Sequence, residues 1–347
     1  MLIQIHRLNA SISLFLALCL NAILILLVVK RSPKELKVYK RILLQTAIVD
    51  IVLSVFLFLS QDITLSTNRW LLVLSVSQFS DYFLLPAQFG VLLIHIWLIV
   101  HFFSLSGLCV QFVYRFLVLN RRLQITMKKY VAMLSFAFSI AILTWTYDFF
   151  VSNNHINLSL LNAEEIFQIE QLLGGNLSDF VTYCEANNYF PVQISMGVCF
   201  IENIICYSTI VICGYKMARF VHQNLDQSSA RKQQINRQLT INLIIQAFIP
   251  LAVNIIGIIV TSEIVIFELQ FSLSLLFTQM CVTIPLHWLP VLNPLVSILC
   301  VSDYRKALAN FIRYTVCNKQ NSVTQQQTPM NILQNNNRNA QLPIIAS

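Results

Sequence analysis

The sequence predicts an all-α membrane protein, a seven-transmembrane helix bundle with the N-terminus outside the cell and the C-terminus in the cytoplasm. Three observations support this fold class. Hydrophobic residues make up 56% of the 347 residues and charged residues only 11%, whereas soluble domains carry about 25% charged residues. The apolar residues lie in runs of about 20, the length of helix that crosses a hydrocarbon core. The basic residues lie between these runs, mostly on one side of the predicted membrane.

Seven apolar runs are long enough to span a membrane. The first is longer than the apolar core of a signal peptide, and its positive charges follow it, so we expect it to be a retained helix. The predicted spans are 9–29, 42–60, 88–114, 130–150, 191–215, 239–261 and 278–301. They define a seven-helix domain at 1–305 and a cytoplasmic tail at 306–347. The tail is rich in Gln and Asn with few charges after residue 319, a composition that predicts disorder.

Charge decides the number of spans, because 70–114 and 264–301 are each longer than one span. Positive residues are retained on the cytoplasmic side of short loops. With seven spans, all of the 23 Lys and Arg residues except Arg7 and Arg69 lie on that side. Dividing either long stretch in two would move a basic segment outside. The charge pattern therefore favours seven spans and fixes the predicted orientation.

Composition also excludes several classes of function. The net charge is +8, but the basic residues do not form one solvated face, so no nucleic-acid partner is expected. The sequence has no glycine-rich nucleotide motif and no His pair at metal-binding spacing. We therefore predict no cofactor, no metal site and no enzymatic activity. The lipid bilayer is the predicted surrounding.

The longest predicted outside loop, 151–190, contains two candidate glycosylation sites at Asn157 and Asn176. It could cover a ligand cavity or be an exposed glycosylated loop. If Cys184 forms a disulfide, Cys281 is its best placed partner. In the tail, Cys317 is either a palmitoylation site or a free thiol.

Ionisable residues inside predicted spans are candidates for function, because charges are costly in hydrocarbon. Asp50 and Asn21 could form an internal polar site, either a cation site or a carboxyl held neutral by Asn21 or a similar neighbour. Glu202 could face a central cavity, or it could be a protonated packing residue. His95 and His101 are six residues apart and do not share a helix face. The candidate ligand-binding residues are Glu202, His95, His101, His287 and Trp97, although aromatic residues near helix ends are often interface anchors.

Prolines mark places where the last two spans could bend. Pro250 lies in the sixth span, and Pro285, Pro290 and Pro294 lie in the seventh. Each removes a backbone hydrogen bond and tends to kink a helix. Two bent neighbouring helices could form a bistable element on which a ligand acts.

Three stretches carry a family resemblance. The first is Asn21 together with KRSPKELKVYKRILLQTAIVD at 30–50, and the second is Tyr114-Arg115 at the end of the third span. The third is LNPLVSI at 292–298 followed by Asp303-Tyr304-Arg305. Together they resemble nematode serpentine chemoreceptors of the Str superfamily, most closely the Srd class.

The resemblance implies a G-protein-coupled chemosensory receptor in the plasma membrane of sensory neurons, in the sensory cilium. Such a receptor binds a small external chemical or odorant and activates a heterotrimeric G protein. By analogy with rhodopsin-like receptors, it also implies residues for G-protein coupling or switching. These are Tyr114, Arg115, Asn293, Pro294, Asp303, Tyr304 and Arg305. The chain departs from those receptors in three ways. No acidic residue precedes Arg115, the outer end of the third span has no cysteine, and no tyrosine follows three residues after Asn293-Pro294.

Two other membrane functions are alternatives. A seven-helix ligand-gated channel of the insect type has a cytoplasmic N-terminus, which the charge pattern opposes. A transporter is expected to show internal repeats and paired charges near the membrane midplane, whereas Asp50 and Glu202 are isolated.

Overall fold

Long apolar helices dominate the computed structural model of the chain. It describes residues 2–31, 37–67, 69–76, 87–121, 123–152, 157–186, 190–223, 230–266, 273–310 and 313. The predicted disordered tail after 319 and Cys317 lie outside these residues. Within them, seven helices are long and apolar enough to cross a membrane. The prediction of seven spans is confirmed.

The first six spans are single helices. They are α1 (Leu2–Arg31), α2 (Lys37–Ser60), α3 (Ala87–Leu119), α4 (Met127–Ser152), α6 (Phe190–Gln223) and α7 (Ala230–Ile266). Each contains the corresponding predicted span and extends beyond it. The extensions arise because polar helix-forming residues, such as those at 230–238, continue the helix past the apolar run.

The seventh span is a broken helix. It consists of α8 (Leu273–Thr283), a 3₁₀ segment (Ile284–Trp288) and α9 (Leu289–Cys300). Pro285 lies in the 3₁₀ segment, and Pro290 lies at the start of α9. These positions confirm the predicted irregularity of this span. By contrast, α7 continues through Pro250 as one helix.

A small antiparallel sheet corrects the all-α prediction. Its strands are β1 (Asp62–Ser66), β2 (Trp70–Ser75) and β3 (Val181–Ala186), in the order β1-β2-β3. Leu72 in the central strand pairs with Leu65 on one side and Cys184 on the other. The β2 segment lies in the apolar stretch 70–114, which is longer than one span. Periodicity could not reveal it, because a short strand buried on both faces has no alternating pattern.

The loop between α4 and α6 folds onto this sheet. It contains α5 (Ala163–Leu173), which begins with a capping box of Asn162 and Glu165 and ends at Gly174, whose φ is 71°. Ile169, Leu172 and Leu173 of α5 are buried with the sheet residues in one hydrophobic cluster. The loop is therefore folded against the sheet, and its role as a cover of a ligand cavity stays a prediction.

Two hydrophobic clusters lie at opposite ends of the bundle. The cluster around the sheet includes Ile3 of α1 and Met280 of α8, and we call this end the sheet end. The other cluster includes Tyr39, Tyr114 and the ends of five further helices, and we call it the Arg115 end. Between them the outer surface is apolar; Phe15 is 67% exposed and Leu143 is 72% exposed. Such a surface suits contact with lipid.

Candidate switch and ligand-binding sites

Arg115 joins three helices at the Arg115 end. Its side chain is buried, with 1% of the residue exposed. From α3, its Nε donates to the Tyr39 hydroxyl of α2 at 3.1 Å. Its Nη2 donates to the Asn236 carbonyl and to Thr240 Oγ1, both in α7 and both at 2.7 Å. The guanidinium therefore ties α7 to α3 and α2.

No carboxylate pairs with Arg115 among the described residues. Its guanidinium carbon lies 4.8 Å from the centroid of the Tyr39 ring, a cation–π contact. Its Nη1 has no hydrogen-bond partner in the described part of the chain. Neutral acceptors and one aromatic face thus replace the ion pair whose acidic partner the sequence lacks. A buried cation held in this way can be released without breaking a salt bridge.

Tyr114 faces a different helix from its neighbour. Its ring packs against Tyr130 of α4, with the centroids 4.6 Å apart. The Tyr130 hydroxyl donates to Gln45 of α2. Successive residues of α3 thus contact α4 and α7, so the Tyr114-Arg115 pair sits where the helices converge.

The other predicted switch residues follow α9. Tyr304 is fully buried, Asp303 is half-buried and Arg305 is exposed. Arg305 Nη1 donates to the Leu299 carbonyl at 3.1 Å. This contact satisfies a carbonyl at the end of α9, where helices have unpaired acceptors. The three residues therefore follow the end of the seventh span, and of the three only Arg305 is exposed for contact with a partner protein.

A cavity of about 40 Å³, with several polar side chains in a largely apolar lining, lies in the middle of the bundle. The residues that line this cavity include Asp50, His101, Gln111, Gln246, Pro250 and Asn293. Asn293 Nδ2 donates to Asp50 Oδ1 at 3.0 Å. Asn21 does not bond to Asp50; its Nδ2 donates to the carbonyls of Ala17 and Pro290. The neighbour that bonds to Asp50 is therefore Asn293 of α9 rather than Asn21.

The cavity presents unpaired acceptors. Asp50 Oδ2, Gln111 Oε1 and Asn293 Oδ1 have no hydrogen-bond partner among the described residues. A carboxylate and amide oxygens are the ligands of hard cations and also bind water. The cavity has room for a few waters or a small cation, at about 10–15 Å³ per water. It is far smaller than the roughly 300–1,000 Å³ of a typical small-molecule pocket.

The remaining sequence candidates are dispersed. His95 lies between α3 and α4, with Nδ1 facing the Val91 carbonyl at 2.7 Å and Nε2 facing Asp148 at 3.0 Å. Glu202 lies on α6, away from the central cavity, and both its carboxylate oxygens lack partners in the described regions. Only His101 of this group lines the cavity. The three residues therefore do not form one site.

His287 and Trp97 lie on the seventh and the third span. His287 is in the 3₁₀ segment, and its ring centroid is 5.0 Å from that of His6. Trp97 packs with Leu53 and Leu57. Sequence reasoning missed His6 because α1 begins at Leu2, about two turns before the predicted span. The signal in the sequence was the position of His6, a histidine next to the first apolar run.

Further missed residues link the seventh span to α7. Gln246 Nε2 donates to the Asn293 carbonyl at 3.2 Å and to Ser297 Oγ at 3.0 Å. Thr240, which holds Arg115, lies less than two turns earlier on the same helix. The sequence does not single out Gln246 or Thr240, because the criterion for a functional residue inside a span is an ionisable side chain. Uncharged amides and hydroxyls in apolar runs also form interhelical hydrogen bonds.

Cys184 and Cys281 are both free thiols. The structure therefore has no disulfide between Cys184 and Cys281. Cys184 is buried in β3, and its thiol donates to the Asn157 carbonyl at 3.4 Å. Burial, and then the charge of Glu185, raise the pKa of this thiol to about 12. It therefore remains protonated and unreactive at neutral pH.

The two glycosylation candidates, Asn157 and Asn176, are exposed, and both lie at the sheet end. Their modification stays a prediction. Among the described residues, no group of three or more His, Cys, Asp and Glu side chains could hold a metal ion.

Comparison with known families gives one match. The sequence model of the serpentine type 7TM GPCR chemoreceptor Str family matches residues 7–309, a stretch that includes all seven spans. A comparison with curated proteins finds no match. The resemblance to Str receptors is confirmed, whereas the Srd class is not.

Proposed function

This chain belongs to the Str family of serpentine seven-transmembrane G-protein-coupled chemoreceptors, and we propose that it binds a small external chemical and activates a heterotrimeric G protein. It acts in the plasma membrane of a sensory cell, at the sensory cilium, as an Srd-class receptor. The observation that carries this proposal is the set of bonds that Arg115 makes to two other helices. A contact between mobile helices at one end of a receptor can transmit ligand binding at the other.

The orientation in the membrane follows from charge. Among the described residues, the sheet end carries only Arg7 and Arg69 as basic residues. The Arg115 end carries Lys40, Arg41, Arg121, Lys128, Lys129, Lys216, Arg219, Arg237 and Lys306. The positive-inside rule places that end in the cytoplasm and the N-terminus outside. An N-terminal epitope tag should bind antibody on intact cells; binding only after permeabilisation would reverse the orientation.

The bonds of Arg115 define a closed state. While Nη2 holds Asn236 and Thr240, α7 is tied against α3. A ligand that favours a second arrangement shifts the population away from this contact. Release of α7 would open the cytoplasmic end and expose the guanidinium to an acceptor on the G protein.

Replacing Arg115 with Ala tests this role. Arg115→Ala should abolish ligand-dependent signalling while surface expression persists, because the variant loses the group that links the helices and meets the G protein. Cyclic-nucleotide and calcium responses of cells exposed to a chemical panel are the measurement. Lys306→Ala removes an exposed charge at the same end and should signal like the wild type. Unchanged signalling by Arg115→Ala would remove Arg115 from the mechanism.

The same cells separate a receptor from a channel. Blocking G proteins should abolish the response to the active chemical. A ligand-dependent current that persists under the block would favour the ligand-gated channel.

A further inference from the structure

A buried histidine joins α3 to α4 in the half of the bundle toward the sheet end. His95 is 6% exposed. Its Nδ1 lies 2.7 Å from the Val91 carbonyl of the same helix, and its Nε2 lies 3.0 Å from Asp148 Oδ2 of α4. The Phe149 ring meets the imidazole edge to face, with the centroids 5.3 Å apart. Asp148 lies near the end of α4, and its side chain is 17% exposed, so protons from water can reach this carboxyl group.

The bonds of His95 determine where its protons lie. A carbonyl only accepts hydrogen bonds, so Nδ1 carries a proton toward Val91. Nε2 of a neutral ring is then an acceptor, and an ionised carboxylate is an acceptor as well. Two acceptors do not bond, so the 3.0 Å contact requires one further proton, on Nε2 or on Asp148 Oδ2. The bond between α3 and α4 therefore exists only while this shared proton is bound.

No other cation holds the Asp148 carboxyl group. Among the described residues, no Lys or Arg forms an ion pair with it. Cys199 of α6 lies within electrostatic reach of Asp148 and Glu202, and both Glu202 oxygens are unpaired in the described part of the chain. His95 is therefore the group that decides, through one proton, whether α3 and α4 attract each other here. The elements packed against the pair carry further titratable side chains: Tyr147 of α4, Cys199 and Glu202 of α6, Tyr183, Cys184 and Glu185 of β3, and, deeper in the bundle, Asp50 of α2, which lines the central cavity with His101.

α3 connects this contact to the Arg115 end. His95 and Arg115 lie on the same continuous helix, separated by about 30 Å at 1.5 Å per residue. At the Arg115 end, α3 also packs on α4 through the Tyr114 and Tyr130 rings. The two helices are thus joined near both ends. Opening the His95–Asp148 contact leaves α3 attached to α4 at the Arg115 end alone, so α3 can tilt and displace Arg115.

We propose that His95 and Asp148 bind one proton from the medium outside the cell, and that this proton regulates the receptor by holding α3 against α4. The regulatory part rests on the proposed receptor function and orientation, whereas proton binding does not. Loss of the proton leaves a neutral Nε2 facing a carboxylate, and the two acceptors separate. Because the folded pair holds a proton that the contact requires, the stability that the contact contributes is present at lower pH and is lost as the pH rises.

The first test is the pH dependence of thermal unfolding of the purified full-length receptor in detergent. From about pH 7 to about pH 9.5, above the pKa of about 6 of Asp62, the wild-type midpoint should fall by a few degrees. Asp148→Asn supplies an amide N–H that donates to the neutral imidazole without a titrating proton, so its midpoint should fall less. His95→Gln presents an amide N–H to the carboxylate at every pH and should behave in the same way.

Glu164→Gln is the matched control, because it makes the same kind of change at an exposed position on α5. Its midpoint should follow that of the wild type over the whole pH range. Equal pH dependence in the wild type, Asp148→Asn and His95→Gln would overturn proton binding by the pair. The two variants keep the contact from opposite sides, so either one that folds gives this comparison.

The second test is basal signalling at different pH values of the external medium. Wild-type signalling should rise about fivefold over the same range, the lower end of typical allosteric coupling, and should stay constant in Asp148→Asn. A wild type that is insensitive to external pH, but still answers a chemical in the panel through Arg115, would overturn the regulation and leave the receptor function standing. Absence of every Arg115-dependent response, with the thermal difference intact, would contradict the receptor function and support the proton site.

Discussion

At the residue scale, the environment of Arg115 shows how a buried cation can serve as a switch. A fully buried ion pair is hard to open, because separating it leaves two uncompensated charges. Arg115 instead bonds to a hydroxyl, a carbonyl and a phenol. Hydrogen bonds between a charged group and a neutral one contribute about 1.5–3 kcal/mol each. Losing one of these hydrogen bonds therefore shifts the equilibrium between the closed state and a state in which α7 is released, without unfolding the bundle.

Thr240→Val tests this balance with little change in side-chain volume. The substitution removes the hydroxyl that accepts from Arg115 Nη2 at 2.7 Å, so the closed state loses stability. Basal signalling without ligand should rise about tenfold, the effect of roughly 1.4 kcal/mol. Thr144→Val is the control, since the Thr144 hydroxyl bonds to the Ile140 carbonyl of its own helix. Basal signalling at the wild-type level in Thr240→Val would show that this bond does not hold the closed state.

At the element scale, the stability of the sheet depends on pH through one buried carboxyl group. Asp62 begins β1 and is 6% exposed, with the Ser60 hydroxyl donating to its Oδ1 at 3.1 Å. Burial raises the pKa of this carboxyl to about 6, against about 4 in an unfolded chain. The folded sheet therefore favours the protonated acid. The contribution of the protonated Asp62 carboxyl to the stability of the fold is fully present below about pH 4 and is lost as the pH rises through about 6.

Asp62→Asn should remove this pH dependence. Two pKa units correspond to roughly 3 kcal/mol, so the variant should be more stable than the wild type at pH 7.5 by up to about that amount. Near pH 4.5 the two should differ much less. Thermal unfolding of the purified receptor at both pH values is the measurement. Asp179→Asn, at an exposed position at the same end, should unfold like the wild type, and a similar shift there would refute the assignment to Asp62.

The elements differ in how far the sequence predicts them. Hydropathy located all seven spans, because an apolar run is a local property of the chain. It missed β1, β2 and β3, of which β2 and β3 pair residues far apart in the chain, such as Leu72 and Cys184. The broken seventh span was predictable from its prolines. Pro250 was not a reliable signal by itself, because α7 continues through it.

At the scale of the whole molecule, one series of contacts connects the two ends. The 3₁₀ segment with His287 leads into α9, where Asn293 bonds to Asp50. Gln246 joins α9 to α7, and Thr240 of α7 holds Arg115. A displacement of the 3₁₀ segment can therefore reach the Arg115 end through two helices. This series also passes the polar cavity, whose unpaired oxygens can exchange partners as the helices move.

Gln246→Leu should separate ligand binding from signalling. The substitution removes the side chain that bonds to Asn293 and Ser297, so α7 no longer follows α9. We expect the ligand-induced thermal shift to persist and G-protein nucleotide exchange to fall at least tenfold. Gln168→Leu is the control for the same change of side chain, because Gln168 lies on α5, outside the seven spans. Wild-type exchange in Gln246→Leu would show that coupling takes another route.

The sequence by itself determined the membrane class, the seven spans and the family. These follow from hydropathy, the positions of basic residues and short motifs, which are properties of neighbouring residues. Only the tertiary structure decided which polar side chains meet. It joined Asp50 to Asn293 rather than Asn21, His287 to His6, and Arg115 to Thr240. The physical reason is that the rotation of each helix is set by packing against several others, and that packing depends on residues far apart in the chain.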